Sequence, residues 1–264
     1  NSLSRLPRGL NELEAWGLSM YFYCTIRHMK LQHDLPLSDY TSLHAGGRIH
    51  NLIELESGDS LQAVIAQADK PLWVLGFGTN VLVSDRGLPG TVILNQAGKK
   101  EISSDGQVRA DSGVLWDELI QEVISRDLWG LEFSSGIPGG VGAAIAGNIA
   151  AYGHKVEDSF VQATILNTHD GSESVWDKDT MGFGYRTSVL QDPKNSHLVV
   201  LDATFSLSPQ STGELEYESA LKIAKEMSIN PDSLTNRRAI ILETRKRAGS
   251  LLQDTRSGPW TAGS

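Results

Sequence analysis

The chain has a single cysteine, Cys24, among its 264 residues. No disulfide can therefore form within it, which is typical of proteins from reducing compartments, and we expect a cytoplasmic location. No apolar run reaches the roughly 18 residues that a membrane-spanning helix requires. We therefore predict no membrane insertion.

Positive charge is also scarce. Lys and Arg number 23 against 32 Asp and Glu, a net charge of −9. A general nucleic-acid binder gains affinity from a basic surface through counterion release, so we predict no nucleic-acid partner. A local anion site remains open, because backbone N–H groups and a few arginines can bind phosphate within an acidic protein.

Several catalytic motifs are missing as well. The seven histidines are scattered, with no HExxH and no second cysteine, so we predict no metal site. The chain has no GxSxG, and Cys24 has no evident partner, so nucleophilic hydrolysis has no support.

Alternating apolar patterns predict strands and helices mixed along the chain, which indicates an α+β or α/β fold. The predicted strands are 52–56, 72–75, 81–84, 90–94, 108–113, 160–168 and 198–207. The predicted helices are 59–68, 115–126, 215–227 and 233–247.

The domain organisation follows from breaks in these patterns. Residues 29–208 are expected to form one domain with two subdomains, at about 38–95 and 96–208. Pro209–Gly213 interrupts the pattern, so 209–264 is expected to begin a further domain that is truncated at Ser264. Residues 1–28 are expected to be a non-native or disordered extension before a start near Met29.

The first glycine-rich loop, Gly76–Asn80, reads GFGTN and follows a buried strand pattern. Closely spaced glycines allow a sharp turn that brings backbone N–H groups against an anion. It is neither a dinucleotide fingerprint nor a P-loop, since no third glycine opens a helix and no lysine follows. A tight hairpin and a phosphate-binding loop both remain open.

The second glycine-rich segment, Ser134–Gly153, reads SSGIPGGVGAAIAGNIAAYG. Pro138 fixes its own φ, while the glycines beside it are conformationally permissive. Ile137, Val141, Ile145 and Ile149 recur every four residues, which predicts a packed face and argues against a linker. Structural packing and ligand contact both fit this composition.

A third motif, Gly184–Ser188, reads GYRTS. Arg186 could hold a carboxylate or phosphate through two parallel hydrogen bonds. A surface arginine on a turn is the alternative.

In this order and spacing the motifs resemble the family of UDP-N-acetylenolpyruvoylglucosamine reductases (MurB). The resemblance covers about residues 38–264 and rests on TSLHAGG at 41–47, LGFGTNVLV at 75–83, the Ser134–Gly153 segment, GYRTS and the terminal AGS at 262–264. Thr79 stands where the family has serine, and Ala143 and Ala150 where it has glycine, so positive φ should not be needed at those two alanines.

The resemblance implies an FAD-binding domain of the PCMH/vanillyl-alcohol-oxidase type, with two α/β subdomains, and a truncated C-terminal substrate domain. It implies a cytoplasmic, monomeric oxidoreductase of peptidoglycan synthesis, in which NADPH reduces FAD. Hydride then passes to C3 of the enolpyruvyl group of a UDP-sugar substrate. The catalytic glutamate of the family would lie beyond Ser264.

The resemblance also implies residue roles. Arg186 would stabilise the enolate, Ser264 would donate a proton to C2, and Tyr185 and Arg186 would bind substrate. The residues implied in FAD binding are Gly76, Phe77, Gly78, Thr79, Asn80, Ser135, Gly136, Ile137, Pro138, Gly139, Gly142, Asn148, Tyr152 and Gly153. The alternatives are another FAD-dependent oxidoreductase of the same fold and a non-catalytic nucleotide-binding module.

Overall fold

The computed structural model describes residues 30–56 and 58–251. Three predicted features lie outside these ranges: Cys24, the extension at 1–28, and the terminal AGS motif with Ser264. The predictions made for them stay predictions. Within the described residues, no helix is long and apolar enough to cross a membrane.

The first sheet has four strands in the order β1–β2–β4–β3. Its strands are Leu31–Pro36 (β1), Arg48–Glu54 (β2), Leu72–Leu75 (β3) and Leu88–Leu94 (β4). β1 runs antiparallel to β2, whereas β2 and β3 both run parallel to β4. Helix α1 (Leu61–Ile65), whose N-cap Ser60 accepts a hydrogen bond from the Ala63 N–H, connects β2 to β3.

Both faces of this sheet are buried, as is usual for parallel strands. Ile53 and Ile93 belong to a core cluster that includes α1 and Leu166 of the second sheet. Leu52 and Val92 point to the other face, where they pack in a cluster with Leu37.

The second sheet has five antiparallel strands in the order β10–β9–β11–β6–β5. They are Lys100–Ile102 (β5), Gln107–Asp111 (β6), Phe160–Asn167 (β9), Glu173–Asp177 (β10) and Leu198–Ser206 (β11). Its core is shared with helices α2 (Trp116–Ser125) and α3 (Val141–Ala146). Trp116 meets Phe205 of β11 edge to face, with 5.7 Å between ring centroids.

Smaller elements complete the fold. Ala150–Ala151 (β7) and His154–Lys155 (β8) form a hairpin, and α4 spans Lys178–Met181. Helices α5 (Glu218–Met227) and α6 (Leu234–Arg247) pack on each other. Short 3-10 turns lie at Leu37–Tyr40, Glu132–Ser134, Val156–Asp158, Val189–Gln191 and Pro193–Asn195.

The architecture confirms the α+β class. One predicted strand, 81–84, is wrong, because these residues have no regular secondary structure. The chain leaves the sheet at Gly76, and β4 already occupies the position beside β3. Leu82 is left 76% exposed. The division into subdomains near residue 95 stays a prediction, although β4 ends at Leu94 and the second sheet begins at Lys100.

Candidate functional site

A cleft runs between the two sheets, with the glycine-rich segment of α3 along its floor. Three adjoining cavities of about 990, 320 and 170 Å³ share Ala143 in their lining. The largest lies between Val74 of β3 and Val200 of β11, and the two smaller ones reach Arg186. This volume is sufficient for an extended organic cofactor.

The first loop, Gly76–Asn80, leaves the carboxyl end of β3, where open sheets commonly bind ligands. Ser42 holds it from behind: its N–H donates to the Gly78 carbonyl at 3.0 Å and its hydroxyl donates to the Thr79 carbonyl at 3.1 Å. Gly78 has φ +63°, and a Cβ there would lie 1.9 Å from the carbonyl oxygen of Tyr40. Only glycine fits this position.

The backbone N–H groups from Gly76 to Asn80 donate no hydrogen bond to any described residue. The same is true of Gly139 and Gly140 in the second loop, within the described part of the chain. Gly78, Gly139 and Gly140 are buried, and buried N–H groups are nearly always paired, so these three at a cleft point to an external acceptor. Successive N–H groups of this kind form a cavity suited to an anion.

The second loop, Gly136–Gly140, faces the first. A Cβ built on Gly139, where φ is +116°, would lie 3.4 Å from the hydroxyl oxygen of Thr79. The Gly139 carbonyl accepts from the Trp116 N–H at 2.9 Å, and the Gly136 N–H donates to Asp117 Oδ1 at 2.6 Å. Helix α2 therefore holds both ends of the loop.

Arg186 lies where these loops meet. It lines the two smaller cavities with Thr79 and Asn80. A tight turn presents it: Gly184 and Thr187 exchange backbone hydrogen bonds, and Arg186 itself has φ +52°. Its guanidinium makes no hydrogen bond or ion pair with another described residue. A bidentate donor is thus left available to an anionic ligand.

Two residues predicted to bind the cofactor are fully buried and hydrogen-bonded within the chain. The side chain of Asn148 is fully buried, with Nδ2 donating to Glu157 Oε2 at 2.6 Å and to the Gly184 carbonyl at 3.0 Å. Ser135 is also fully buried, and its hydroxyl donates to the Glu132 carbonyl at 2.6 Å. Both side chains are engaged in these internal hydrogen bonds, and the cofactor contact predicted for the two residues stays a prediction.

Three further residues predicted to bind the cofactor do not line the three cavities described, and their contact with a cofactor stays a prediction. Tyr152 and Gly153, with φ of +52° and +87°, form the two-residue turn of the β7–β8 hairpin, a geometry that favours glycine. The Tyr152 ring packs edge to face on Tyr217, with 5.3 Å between centroids. Gly136 is covered by Leu242 and Leu251, whose side chains would lie within 2.8 Å of an added Cβ.

The other predicted cofactor residues line the cleft: Gly76, Phe77, Gly78, Thr79, Asn80, Ile137, Pro138, Gly139 and Gly142. Their contact with a cofactor stays a prediction. Tyr185, predicted to bind substrate, is 87% exposed beside Arg186.

Sequence reasoning missed other lining residues. These are Ala143, Ala146, Gly147, Ile149 and Gln191 around Arg186, and Asn95 and Ser112 deeper in the cleft. The small residues of α3 could have indicated a ligand site in the sequence, because small side chains allow close approach to the helix backbone. The sequence could not predict that Asn95 and Ser112 line the cleft, because their 2.8 Å hydrogen bond joins residues 17 positions apart.

Asp117 and Arg238 form an ion pair below the floor. Burial tends to raise the pKa of Asp117, but hydrogen bonds from Arg238 and the Gly136 N–H outweigh it, and the pKa lies below its usual value. Burial also raises the pKa of Tyr152, next to Arg245. Both groups therefore hold fixed ionisation states at neutral pH.

Comparison with known proteins explains this geometry. Residues 50–174 match the family described as FAD binding domain. A UDP-N-acetylenolpyruvoylglucosamine reductase of Thermobifida fusca is 32% identical over 85% of this chain and 66% of its own length. The reductase of Mycobacterium ulcerans is 30% identical over 89% of this chain and 67% of its own length. The chain belongs to the UDP-N-acetylenolpyruvoylglucosamine reductase family.

A solved member of the reductase family has the same fold. The UDP-N-acetylenolpyruvylglucosamine reductase (MurB) of Thermus caldophilus is 29% identical and superposes with a TM-score of 0.59, covering 83% of this chain and 70% of that one. The chain spans 66% of the Thermobifida fusca relative and 63% of the one from Cutibacterium acnes.

The residues present fit the FAD that the reductase family implies. Two facing loops supply unpaired N–H groups, and Gly76 has nothing within 4 Å of the point where a Cβ would stand. A pyrophosphate can be held by such groups without a positive side chain, which suits an acidic protein. The cavities beside them provide the space that flat rings need.

Proposed function

We propose that this chain binds FAD and acts as a UDP-N-acetylmuramate dehydrogenase. It would use NADPH to reduce the enolpyruvyl group of UDP-N-acetylglucosamine enolpyruvate in peptidoglycan synthesis. One observation carries the proposal: an arginine without an ionic partner among the described residues stands where two glycine loops with unpaired N–H groups meet. The family relationship supplies the substrate class.

Loops Gly76–Asn80 and Gly136–Gly140 would hold the FAD pyrophosphate through their backbone. FAD, when bound, supplies the hydride carrier between NADPH and substrate. The cleft walls would exclude water from the rings, since Leu75, Val81 and Ile149 line them.

Arg186 would bind the substrate carboxylate and stabilise the negative charge that develops toward it during reduction. A cation held in place before the reaction lowers the barrier without needing to reorganise. Its unpaired state supports this, because no internal carboxylate in the described chain competes for it. Ser264 stays the predicted proton donor, and Tyr185 a predicted substrate contact.

Two alternatives remain distinguishable. Another FAD-dependent oxidoreductase of this fold would bind FAD but would not need Arg186 for a carboxylate. A non-catalytic nucleotide-binding module would show no flavin reduction by NADPH.

The one cysteine also supports a cytoplasmic location. Nothing in the cleft of the described residues requires a second copy of the chain, so we propose a monomer.

The test is titration of the apoprotein with FAD, followed by reduction with NADPH and reoxidation by the enolpyruvyl UDP-sugar. Arg186→Met should bind FAD like the original chain, while reoxidation by substrate slows by about 10² to 10³-fold. The matched control is Arg126→Met, an exposed arginine that pairs with Glu122 outside the cleft. Unchanged reoxidation in Arg186→Met would exclude the proposed role. A chain that takes up no FAD would exclude the function.

A further inference from the structure

We propose that Asp117 and Arg238 are positioning residues for the cofactor, holding the Gly136–Gly140 loop in its binding conformation from beneath the cleft. This inference rests on the proposed function of that loop in FAD binding. Neither residue lines the cavities at the loops. Their effect would be transmitted through the backbone N–H of Gly136.

The Asp117 carboxylate connects two parts of the molecule. Its Oδ1 accepts from the Gly136 N–H at 2.6 Å and from Arg238 Nη1 at 2.7 Å. Its Oδ2 accepts from Arg238 Nη2 at 2.7 Å. The Arg238 and Asp117 side chains are only 15% and 21% exposed. This bidentate, shielded arrangement is the strong form of an arginine–carboxylate pair.

The start of the loop is held by this carboxylate and by one main-chain hydrogen bond, which the Ile137 N–H donates to the Ser134 carbonyl at 3.1 Å. Its other end is fixed by main-chain contacts, as the Trp116 N–H donates to the Gly139 carbonyl and the Val141 N–H donates to the Val114 carbonyl, both at 2.9 Å. Between these ends, Pro138 has no N–H to donate. The Gly136 N–H is therefore the donor through which a side chain fixes the start of the loop.

Arg238 is itself held by its neighbour. Arg237 pairs with Glu132 at 3.1 Å, with side chains 4% and 0% exposed, and its guanidinium stacks 4.7 Å from the Trp129 ring centroid. Glu132 opens the turn that leads directly into the loop. The Arg237–Glu132 pair thus fixes helix α6 against this turn, which places Arg238 next to Asp117.

The two residues should therefore control affinity for a ligand they do not touch. Removing the carboxylate in Asp117→Ala releases the start of the loop. Binding FAD must then order the loop again, and the FAD dissociation constant should rise by about tenfold, as expected for the loss of one charge-assisted hydrogen bond. Arg238→Met should raise it less, because Asp117 can still accept from Gly136.

The experiment measures the FAD dissociation constant of the 264-residue chain by quenching of flavin fluorescence, for Asp117→Ala, Asp117→Asn, Arg238→Met and Asp117→Ala/Arg238→Met. Deuterium exchange of the peptide containing Gly136 is followed in the same proteins without FAD. The matched control is Arg247→Met, which breaks ion pairs of the same helix with Glu226 and Glu243 away from the loop.

Faster exchange at Gly136 and weaker FAD binding are expected in Asp117→Ala, with a smaller effect in Asp117→Asn, which retains an acceptor oxygen. The double variant should match Asp117→Ala, since Arg238 acts through Asp117. The control should change neither readout. Unchanged exchange and FAD affinity in Asp117→Ala, or in both Asp117→Asn and Arg238→Met, would overturn the inference.

The exchange measurement needs no cofactor. If the original chain took up no FAD, the proposed function would fail, while exchange would still decide whether Asp117 holds the loop. If FAD bound and the variants retained its affinity, only this inference would fail.

Discussion

The two glycine loops of the cleft are built in opposite ways. Gly76–Asn80 is supported from behind by Ser42 and leaves its own N–H groups unpaired. Gly136–Gly140 is braced at both ends by helix α2, and through Asp117 by the C-terminal helix α6. Both loops leave N–H groups without an acceptor among the described residues, but the first is held by Ser42, whereas the second is braced by helices.

Within the first loop, glycine serves two different purposes. At Gly78 the residue is required by φ +63° and by the carbonyl of Tyr40 at 1.9 Å from an added Cβ. At Gly76 an added Cβ would meet nothing within 4 Å. Gly78 is needed for folding, while Gly76 leaves room for a ligand.

The bracing of the second loop can be broken most strongly through Arg237→Met. This change leaves the fully buried Glu132 without its cation, and the free energy of unfolding should fall by about 3 to 5 kcal/mol. Chemical denaturation measures the loss. Glu132→Gln added to Arg237→Met should recover part of it, and equal stability of the two proteins would contradict the buried-charge explanation.

The contrast within the first loop is tested by two alanine substitutions. Gly78→Ala should lower the free energy of unfolding by about 1 to 3 kcal/mol, because it forces a strained conformation onto a residue with a Cβ. Gly76→Ala should change stability by less than about 0.5 kcal/mol, yet weaken FAD binding by about tenfold through a methyl group in the cleft. Denaturation and flavin titration separate the two effects, and a reversed order would refute the assignment.

A smaller effect concerns pH. The pKa of Asp117 is lower in the folded chain than its ordinary value, so its stabilisation is complete above about pH 4 and is lost as the pH falls through the folded pKa. The stability difference between the original chain and Arg238→Met should therefore narrow as the pH falls from about 5 to 2. Denaturation midpoints across this range provide the measurement. A stability difference that stayed constant would show that Arg238 does not stabilise the fold through the charge of Asp117.

The sequence was sufficient to predict elements whose pattern is local. Strand 72–75 matches β3, and the predicted helix at 115–126 matches α2 within one residue at each end. The four-residue spacing correctly predicted a packed face, since Ile137, Val141 and Ile145 are buried and Ile149 is partly buried against the same core. Ala143 and Ala150 have no positive φ, as expected.

Features that depend on distant residues could not be read from the sequence. Strand β1 was missed because its polar residues, including His33 and Asp34, hide its pairing with β2. The positions of Asn148 and Asp117 depend on partners 36 and 121 residues away. A motif shared with a family marks a residue as a candidate, and its hydrogen bonds in the structure show which neighbours it supports.

The buried amide of Asn148 joins the end of the floor helix to the turn that carries Arg186. It follows the floor helix α3 and holds the Gly184 carbonyl, and the Ser188 hydroxyl returns to the Ala146 carbonyl at 2.7 Å. Two hydrogen bonds therefore link the arginine turn to the end of α3. A ligand that shifted the floor helix would therefore be expected to move Arg186 with it.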